Sequence, residues 1–354
     1  MHAQLQPLVS IVTPVYNEAE HLSHCIESVL SQTYQNWDYS IVDNCSTDGS
    51  LEIANRYAAK DKRIRVRRNT ELLGAIANHN AAVREISPAS RYCKVVFGDD
   101  LIFPECLELM VGMAEAHPSA GIIGAYSLEG GRLMCAGLPD ACDFMSGRDV
   151  CRKHLLDKLY LWGSANTVLY RADLVRSRDP FFNEAHTHSD TEVCFDMLKE
   201  SDFGFVHQRL TFTRTRPGSL NTISSNMGTY LAGMLHVLVK YGPDILGPEE
   251  IEACLERHLA GYYRFLGKNL IFGRGKKFWS YHKGQLAEAG VAFSRMAVFR
   301  GALLELARAL LAPKRTAKLT ALLGREKSEP SQTSMSIPNP PEGPLQKPES
   351  WENS

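Results

Sequence analysis

No run of 18 or more predominantly apolar residues occurs in this 354-residue sequence, so it offers no obvious helix to span a bilayer. The uncharged stretch from Pro217 to Val239 contains too many Ser, Thr, Asn and Gly to serve. The opening MHAQLQPLVSIVTP lacks a basic region followed by a long apolar one, and no signal peptide is expected. Charge is nearly balanced, with 39 basic and 40 acidic residues and a net charge of −1, which argues against a nucleic-acid partner. Nine cysteines (Cys25, Cys45, Cys93, Cys106, Cys135, Cys142, Cys151, Cys194, Cys254) include no CxxC pair, and several sit in apolar runs. They read as reduced core thiols of a cytoplasmic protein, lying at most on the cytoplasmic face of a membrane. A P-loop is excluded by the lack of GxxxxGK[ST]. A dinucleotide fold is disfavoured because TPVYNEAE, after the first strand, has no glycine for a pyrophosphate turn. No internal repeat is visible.

What is present is an alternation of strand and helix signals. VSIVTPVY is a short β-branched run. NEAEHLSHCIESVLSQ then reads as a helix, with Asn17 as N-cap, Glu20 in a capping-box position, and Leu22, Ile26, Val29 and Leu30 as its apolar stripe. YSIVD, IRVR, CKVVFG and AGIIGAY follow as strands, separated by SLEIANRYAAK, GAIANHNAAVREI and PECLELMVGMAEAH as helices. This order predicts an α/β fold: a mostly parallel central sheet with helices on both faces, plus a helical C-terminal extension. From about Ser127 to Asn221 the pattern is less regular, with TVLY, FGFV and LTFTRT as short strand-like pieces. The expected domains are 1–221, split near 126/127 into two halves, then a helical region at 222–325. The Pro/Ser-rich tail at 326–354 is too poor in large apolar residues to build a core.

In such sheets ligands bind beyond the carboxyl ends of the strands. Those ends carry carboxylates here: Glu18, Asp43 and Asp48, and the Asp99–Asp100 pair of KVVFGDDLIFPE. Adjacent aspartates after a glycine can hold Mg²⁺ or Mn²⁺ together with substrate phosphates and water. The plainer possibility is a turn whose aspartate caps the next helix. Clustered acids at one rim repel without a cation, which favours the metal.

Taken together, TPVYNE, VDNCSTDGS, ELLGAIANHNAAV and FGDD resemble, in order and spacing, the donor-binding half of the inverting nucleotide-sugar glycosyltransferases of family 2, with the A-type, Rossmann-like fold. The likeness runs from about Val9 to Ser219. It implies that Pro14, Tyr16 and Glu18 frame the nucleotide, that Asp43 accepts from the imide N–H of a uracil-type base, and that Asp48 supports the base–ribose region. Gly74 and Asn78 would line the floor, and Asp99 would hold the metal bridging the diphosphate of a UDP-type sugar donor. Asp100 is the second metal candidate. The plain alternative for Asp43 and Asp48 is an Asx-turn. One departure stands out: where the family has an acid two residues before its metal ligand, this chain has Phe97.

In AHTHSDTEVCFDML the resemblance places Asp190 as catalytic base, with Ser189 where a glutamate usually precedes it. A positioned carboxylate suits the work, because a sugar hydroxyl must lose its proton as the new C–O bond forms. An N-cap for the following apolar run is the competing role, and Glu192 is a secondary candidate for the base. His186, His188, Asp190 and Glu192 hint at zinc, although solvated loop histidines are the simpler reading. Arg214 and Arg216 of FTRTRPGSLNT would stabilise the leaving diphosphate or stand as exposed strand-edge arginines. Trp162 would stack on a sugar of the acceptor, a saccharide or lipid-linked saccharide. The implied function is sugar transfer in polysaccharide or glycoconjugate synthesis; a nucleotide-sugar-binding scaffold that has lost transfer is the alternative. Finally, Met296, Phe299, Leu303, Leu306 and Leu310 recur at helical spacing among Arg295, Arg300, Arg308, Lys314, Arg315 and Lys318. Such a helix, within 290–325, could rest on an anionic membrane or pack on the catalytic domain or a second subunit, packing being favoured.

Overall fold

The computed structural model describes residues 6–216 and 220–311. The tail expected from Glu326, together with Lys314, Arg315, Lys318 and the side chain of Leu310, lies outside the described residues. The N-terminal part alternates as expected: β1 (Val9–Val15), α1 (Leu22–Leu30), β2 (Trp37–Asp43), α2 (Ser50–Ala58), β3 (Ile64–Arg68), α3 (Ala75–Val83) and β4 (Tyr92–Val95). Next come β5 (Leu101–Ile102), α4 (Cys106–Ala116), β6 (Ala120–Glu129), β7 (Arg132–Met134), β8 (Phe144–Met145) and α5 (Gly147–Asp157). The middle continues with β9 (Leu169–Arg171), α6 (Ala172–Arg176), α7 (Ser189–Leu198) and β10 (Asp202–Thr213). A helical region follows: α8 (Leu220–Met227), α9 (Thr229–Ile245), α10 (Pro248–Ile271), α11 (Lys276–Glu288) and α12 (Arg295–Leu311).

The main path of the sheet runs β3-β2-β1-β4-β9-β6-β10-β5. β1 lies parallel to β2 and β4, β2 to β3, and β6 to β10, whereas β9 runs antiparallel to both β4 and β6. The parallel expectation therefore holds for β3-β2-β1-β4 and for β6 with β10, and is broken in the middle by the short reversed strand β9 and at one edge by β5, which runs antiparallel to β10. FGFV and LTFTRT are not separate pieces but one long strand, β10.

All of β1 is buried, as a strand covered on both faces must be. Alternation divides its side chains: Val12, with Val42 and Val95, joins the core under α3, α5 and α7, while Ile11, with Ile41 and Val96, joins the core under α1, α2 and α4. A third apolar cluster, including Leu235, Tyr262, Leu266, Phe278 and Leu286, holds the helical region together. All nine cysteines are free.

Two expectations change. The first helix begins at Leu22 rather than beside Asn17, because Asn17 adopts a left-handed backbone (φ 54°). Its side-chain oxygen instead accepts from Thr47 N at 2.9 Å, tying the β1 turn to the β2 turn. The C-terminal helix does pack, but not through the stripe read from the sequence. Its contact face is Val298, Gly301 and Ala302, laid against α10 so closely that a Cβ on Gly301 would fall 2.4 Å from Tyr263 O. Met296 (82%), Phe299 (60%) and Leu303 (52%) face outward.

Candidate active site

The carboxyl ends of β1, β2 and β4 lie side by side, since β1 pairs with both neighbours in parallel. The β1 turn brings Glu18 against Gly98, where even a methyl group would stand 3.1 Å from Glu18 Cγ; glycine there admits the glutamate. Asp48 closes this turn from the β2 side. Its Oδ2 accepts from Ala19 N at 2.9 Å, and its Oδ1 from Ser50 N at 3.0 Å and Ser50 Oγ at 2.6 Å. Burial alone would raise its carboxyl, but these bonds outweigh it and hold it below the ordinary value. With both oxygens engaged inside the chain, Asp48 braces this turn.

Asp43, at the end of β2, is wholly buried. Its Oδ2 accepts from Ser46 N at 3.2 Å and lies 3.5 Å from Arg68 Nε, while its Oδ1 has no partner among the described residues. Beside it runs an asparagine network. Asn69 Nδ2 donates to Asn44 Oδ1 and to Asn78 Oδ1, both at 3.0 Å, and Asn44 fastens the segment before α3 through both Leu73 N and Leu73 O, each at 2.9 Å. Gly74, the N-cap of α3, has open space where a side chain would be. Pro14 is buried within β1, and Tyr16 stands half-exposed just after that strand.

The rim's positive partner is Arg216. Its Nε donates to Asp99 Oδ2 at 2.8 Å, and its other end reaches Glu18 Oε1. Burial first, and then the nearby Asp99, push the Glu18 carboxyl up to about 7 in spite of Arg216. Glu18 Oε2 is buried and has no hydrogen-bond partner among the described residues. Asp100 behaves differently. It is almost fully buried and its Oδ1 accepts from Arg214 N at 2.9 Å; burial raises its carboxyl well above the ordinary range. Arg214 Nε donates to the backbone oxygen of Asp99 at 3.0 Å. Asp100 thus anchors the segment that carries both arginines.

On the other side of the sheet's centre, Asp190 sits in the first turn of α7. The N-cap position belongs to His188, which makes no capping bond, so the capping alternative for Asp190 is not realised. Asp190 Oδ1 accepts from Thr191 N at 2.8 Å. Burial raises its carboxyl, and the nearby His188 offsets this in part. A buried acid whose carboxyl is raised in this way suits proton transfer.

Residues 10–132 match the family described as Glycosyl transferase family 2. That stretch is a domain of this family, and it covers the donor-side strands β1 to β6. Glycosyltransferase GlyG of Streptococcus pneumoniae is 26% identical over 235 residues, covering 61% of this chain and 73% of that protein. Protein y4gI of Sinorhizobium fredii is 31% identical over 221 residues, 60% of this chain, but this chain spans only 23% of its length. The poly(ribitol-phosphate) beta-glucosyltransferase of Bacillus spizizenii is 30% identical over 53% of this chain and 29% of that protein. Two solved structures share the fold. TarS of S. aureus in complex with UDP-GlcNAc superposes with a TM-score of 0.58 at 16% identity, over 79% of this chain and 80% of that one. The mannosyltransferase PcManGT of Pyrobaculum calidifontis, in complex with GDP-Man and Mn²⁺, gives 0.53 at 17% identity, over 88% and 83%.

Beyond residues 10–132, two acceptor-side expectations are corrected. Trp162 is fully buried, stacked on His154 with ring centroids 4.5 Å apart and edged by Phe195 and Phe203, so neither ring face is open to a sugar. Glu192 is not a base. Burial alone would raise its carboxyl, but His236 and Lys240 hold it at about 2, and Lys240 Nζ lies 2.6 Å from Oε1. Phe97, at the position where the resemblance leads one to expect an acid, packs its ring against His79 (centroids 4.9 Å apart). Asn44, Asn69, Ser46 and Arg68 were not singled out from the sequence. Their only signal was position, at or just after the end of a strand. Lys94 is a further surprise: buried in β4 with burial lowering its affinity for a proton, it donates to Asn166 O and to Val168 O at 3.1 Å, stitching the two halves of the sheet.

Proposed function

We propose that the chain moves a sugar from a nucleoside-diphosphate donor, UDP-type by preference, to a hydroxyl of a saccharide or lipid-linked saccharide acceptor, with inversion, in polysaccharide or glycoconjugate synthesis. One observation carries the reading: Asp43 Oδ1, buried and without a partner at the end of β2. A buried carboxylate oxygen left open is costly unless a donor meets it, and the imide N–H of a uracil-type base is such a donor. UDP-GlcNAc bound to TarS and GDP-Man bound to PcManGT support a nucleotide sugar as the ligand class. Inversion follows the family resemblance.

Glu18 and Asp99 fit Mg²⁺ or Mn²⁺: they already share one cationic group, and Glu18 Oε2 is buried without a partner. Asp100, buried and bonded to the Arg214 backbone, does not fit as a ligand. When bound, the ion would neutralise charge on the departing diphosphate. The chain's own residues do the rest. Arg214 and Arg216 bring guanidinium charge to the diphosphate, Asn44, Asn69 and Asn78 keep the floor rigid, and Asp190 accepts the acceptor's hydroxyl proton on its carboxylate.

The exposed face of α12, with Arg295 and Arg300 on either side of Met296, Phe299 and Leu303, supports contact with an anionic membrane surface, where a lipid-linked acceptor would lie. No helix among the described residues is long and apolar enough to cross one. The test of transfer is nucleoside-diphosphate release from a panel of UDP- and GDP-sugars with Mn²⁺, with and without saccharide acceptors. Release from UDP-sugars is expected; firm UDP binding with no release from any donor would leave only the scaffold reading.

A further inference from the structure

A second group of metal-capable side chains lies apart from the acidic rim. His186 comes from the loop before α7, Glu192 from the first turn of α7, and His236 from the middle of α9, in the helical region. One ligand atom from each lies within 4.8 Å of the other two. His236 Nε2 is 3.3 Å from Glu192 Oε1. In a tetrahedral zinc site with bonds of about 2.0–2.2 Å, neighbouring ligand atoms stand about 3.4 Å apart, so this pair already has the spacing of one edge. The rings of His186 and His236 face each other with centroids 4.0 Å apart and planes tilted by 34°. A swing of roughly an ångström in His186 would complete the set.

An ion-pair cluster of Glu192, His236 and Lys240 would explain part of this arrangement, but not His186. Among the described residues its ring makes no hydrogen bond, only the contact with His236, which leaves a ring nitrogen free to ligate. Glu192 is steadied from behind: Asn183 Nδ2 donates to Oε2 at 3.0 Å, the kind of outer hydrogen bond that orients a ligating carboxylate. Lys240 covers Oε1, yet its side chain is 43% exposed and Asp196 Oδ2, 3.9 Å away, offers it another partner. Two imidazoles and one carboxylate make a nitrogen-rich, borderline set, unlike the all-oxygen rim of Glu18 and Asp99.

We propose that His186, Glu192 and His236 bind a borderline divalent transition ion, Zn²⁺ foremost, with water completing its coordination, and that this ion ties α9 to the turn of α7 that carries Asp190. Binding displaces Lys240 from Glu192 toward Asp196. The helical region is thereby fastened to the element that presents the acid. The site is independent of the ion expected at the diphosphate.

Co²⁺ titration of the metal-stripped full-length protein reads this directly, because a site with nitrogen ligands and low coordination number gives Co²⁺ a visible ligand-field band. One equivalent is expected to bind and to be displaced by Zn²⁺. His186→Gln and His236→Gln, which keep polar side chains of similar bulk, should each weaken Co²⁺ binding at least 10- to 100-fold, the range typical of losing even an outer-shell partner. Lys240→Gln, which removes the competing cation, should tighten it, and Asp99→Asn should leave it unchanged. The absence of a band at one equivalent, a band indifferent to both histidine variants, unchanged affinity in Lys240→Gln, or a band lost in Asp99→Asn would each overturn the assignment.

Discussion

Arg216 donates from Nε to Asp99 Oδ2 at 2.8 Å while the far end of the same guanidinium holds Glu18. One cation therefore stands between two carboxylates delivered by different strands, β1 and β4. The pairing is incomplete, because burial and Asp99 still push Glu18 up to about 7. Among the described residues the rim is short of positive charge, the condition under which the proposed divalent ion would stabilise it.

The sign of the Glu18 shift sets a stability test. Its folded value, about 7, lies above the ordinary 4.5, so the ionised form costs the fold free energy. The protonated form carries no such cost below pH 4.5; the cost develops between 4.5 and 7 and is full above 7. Glu18→Gln should accordingly melt higher than the parent at pH 8, by about 2–4 °C, and close to it at pH 4.5. Calorimetry at both values decides. A difference independent of pH would mean that Glu18 is ionised without penalty.

Asp43→Asn probes the base pocket. Ser46 N and Arg68 need an oxygen, so the amide oxygen should stay with them and the amide NH₂ should take the place of Oδ1. A donor would then face the imide N–H, and UDP binding should weaken about 10- to 100-fold. Cytidine diphosphate, whose ring presents an acceptor there, should gain relative to UDP. Calorimetric titration of both nucleotides with Mn²⁺ measures the ratio, and an unmoved ratio would remove Asp43 from base recognition.

The parts of this molecule that were legible in the sequence are those fixed by local chemistry. β1 to β4 announced themselves through β-branched runs, and the α1 stripe Leu22, Ile26 and Val29 is buried as its spacing required. What was hidden depends on distant partners. Nothing near Asn17 says that Thr47 N will take its side chain and delay the helix. Trp162 looks like a stacking platform until His154 covers it from another element. His186 looked like a solvated loop histidine and Glu192 like a secondary candidate for the base, because His236, their third member, is supplied by a helix far along the chain. The strand β9 was read as the piece TVLY, but its reversal was not: three residues carry too little pattern to show direction, which here is set by its pairing with β4 and β6.

Asp190→Asn tests the proposed base. The substitution keeps the shape and the bond from Thr191 N but cannot accept a proton. Turnover should fall about 10²- to 10⁴-fold while UDP affinity stays the same. The parent should also show an acid limb in its pH–rate profile above the ordinary aspartate range, since burial raises this carboxyl, and the variant should lose that limb. Near-parental turnover with intact donor binding would place the base elsewhere.

The outward face of α12 gives the last prediction. Packing of this helix is already satisfied on its other side by Val298, Gly301 and Ala302, so the exposure of Phe299 and Leu303 is not a by-product of poor docking. Apolar side chains bordered by arginines gain free energy from both terms at an anionic bilayer: burial of the apolar groups among the acyl chains and attraction of the guanidinium groups to the headgroups. Phe299→Glu with Leu303→Glu should therefore abolish flotation with anionic liposomes while leaving nucleotide-sugar hydrolysis in solution unchanged. Arg295→Gln with Arg300→Gln should weaken flotation only in part, and more so as salt is raised. If the glutamate variant floats as well as the parent, or if both bind neutral and anionic vesicles alike, α12 does not read the membrane and its apolar face belongs to a second copy of the chain, which sedimentation would then reveal.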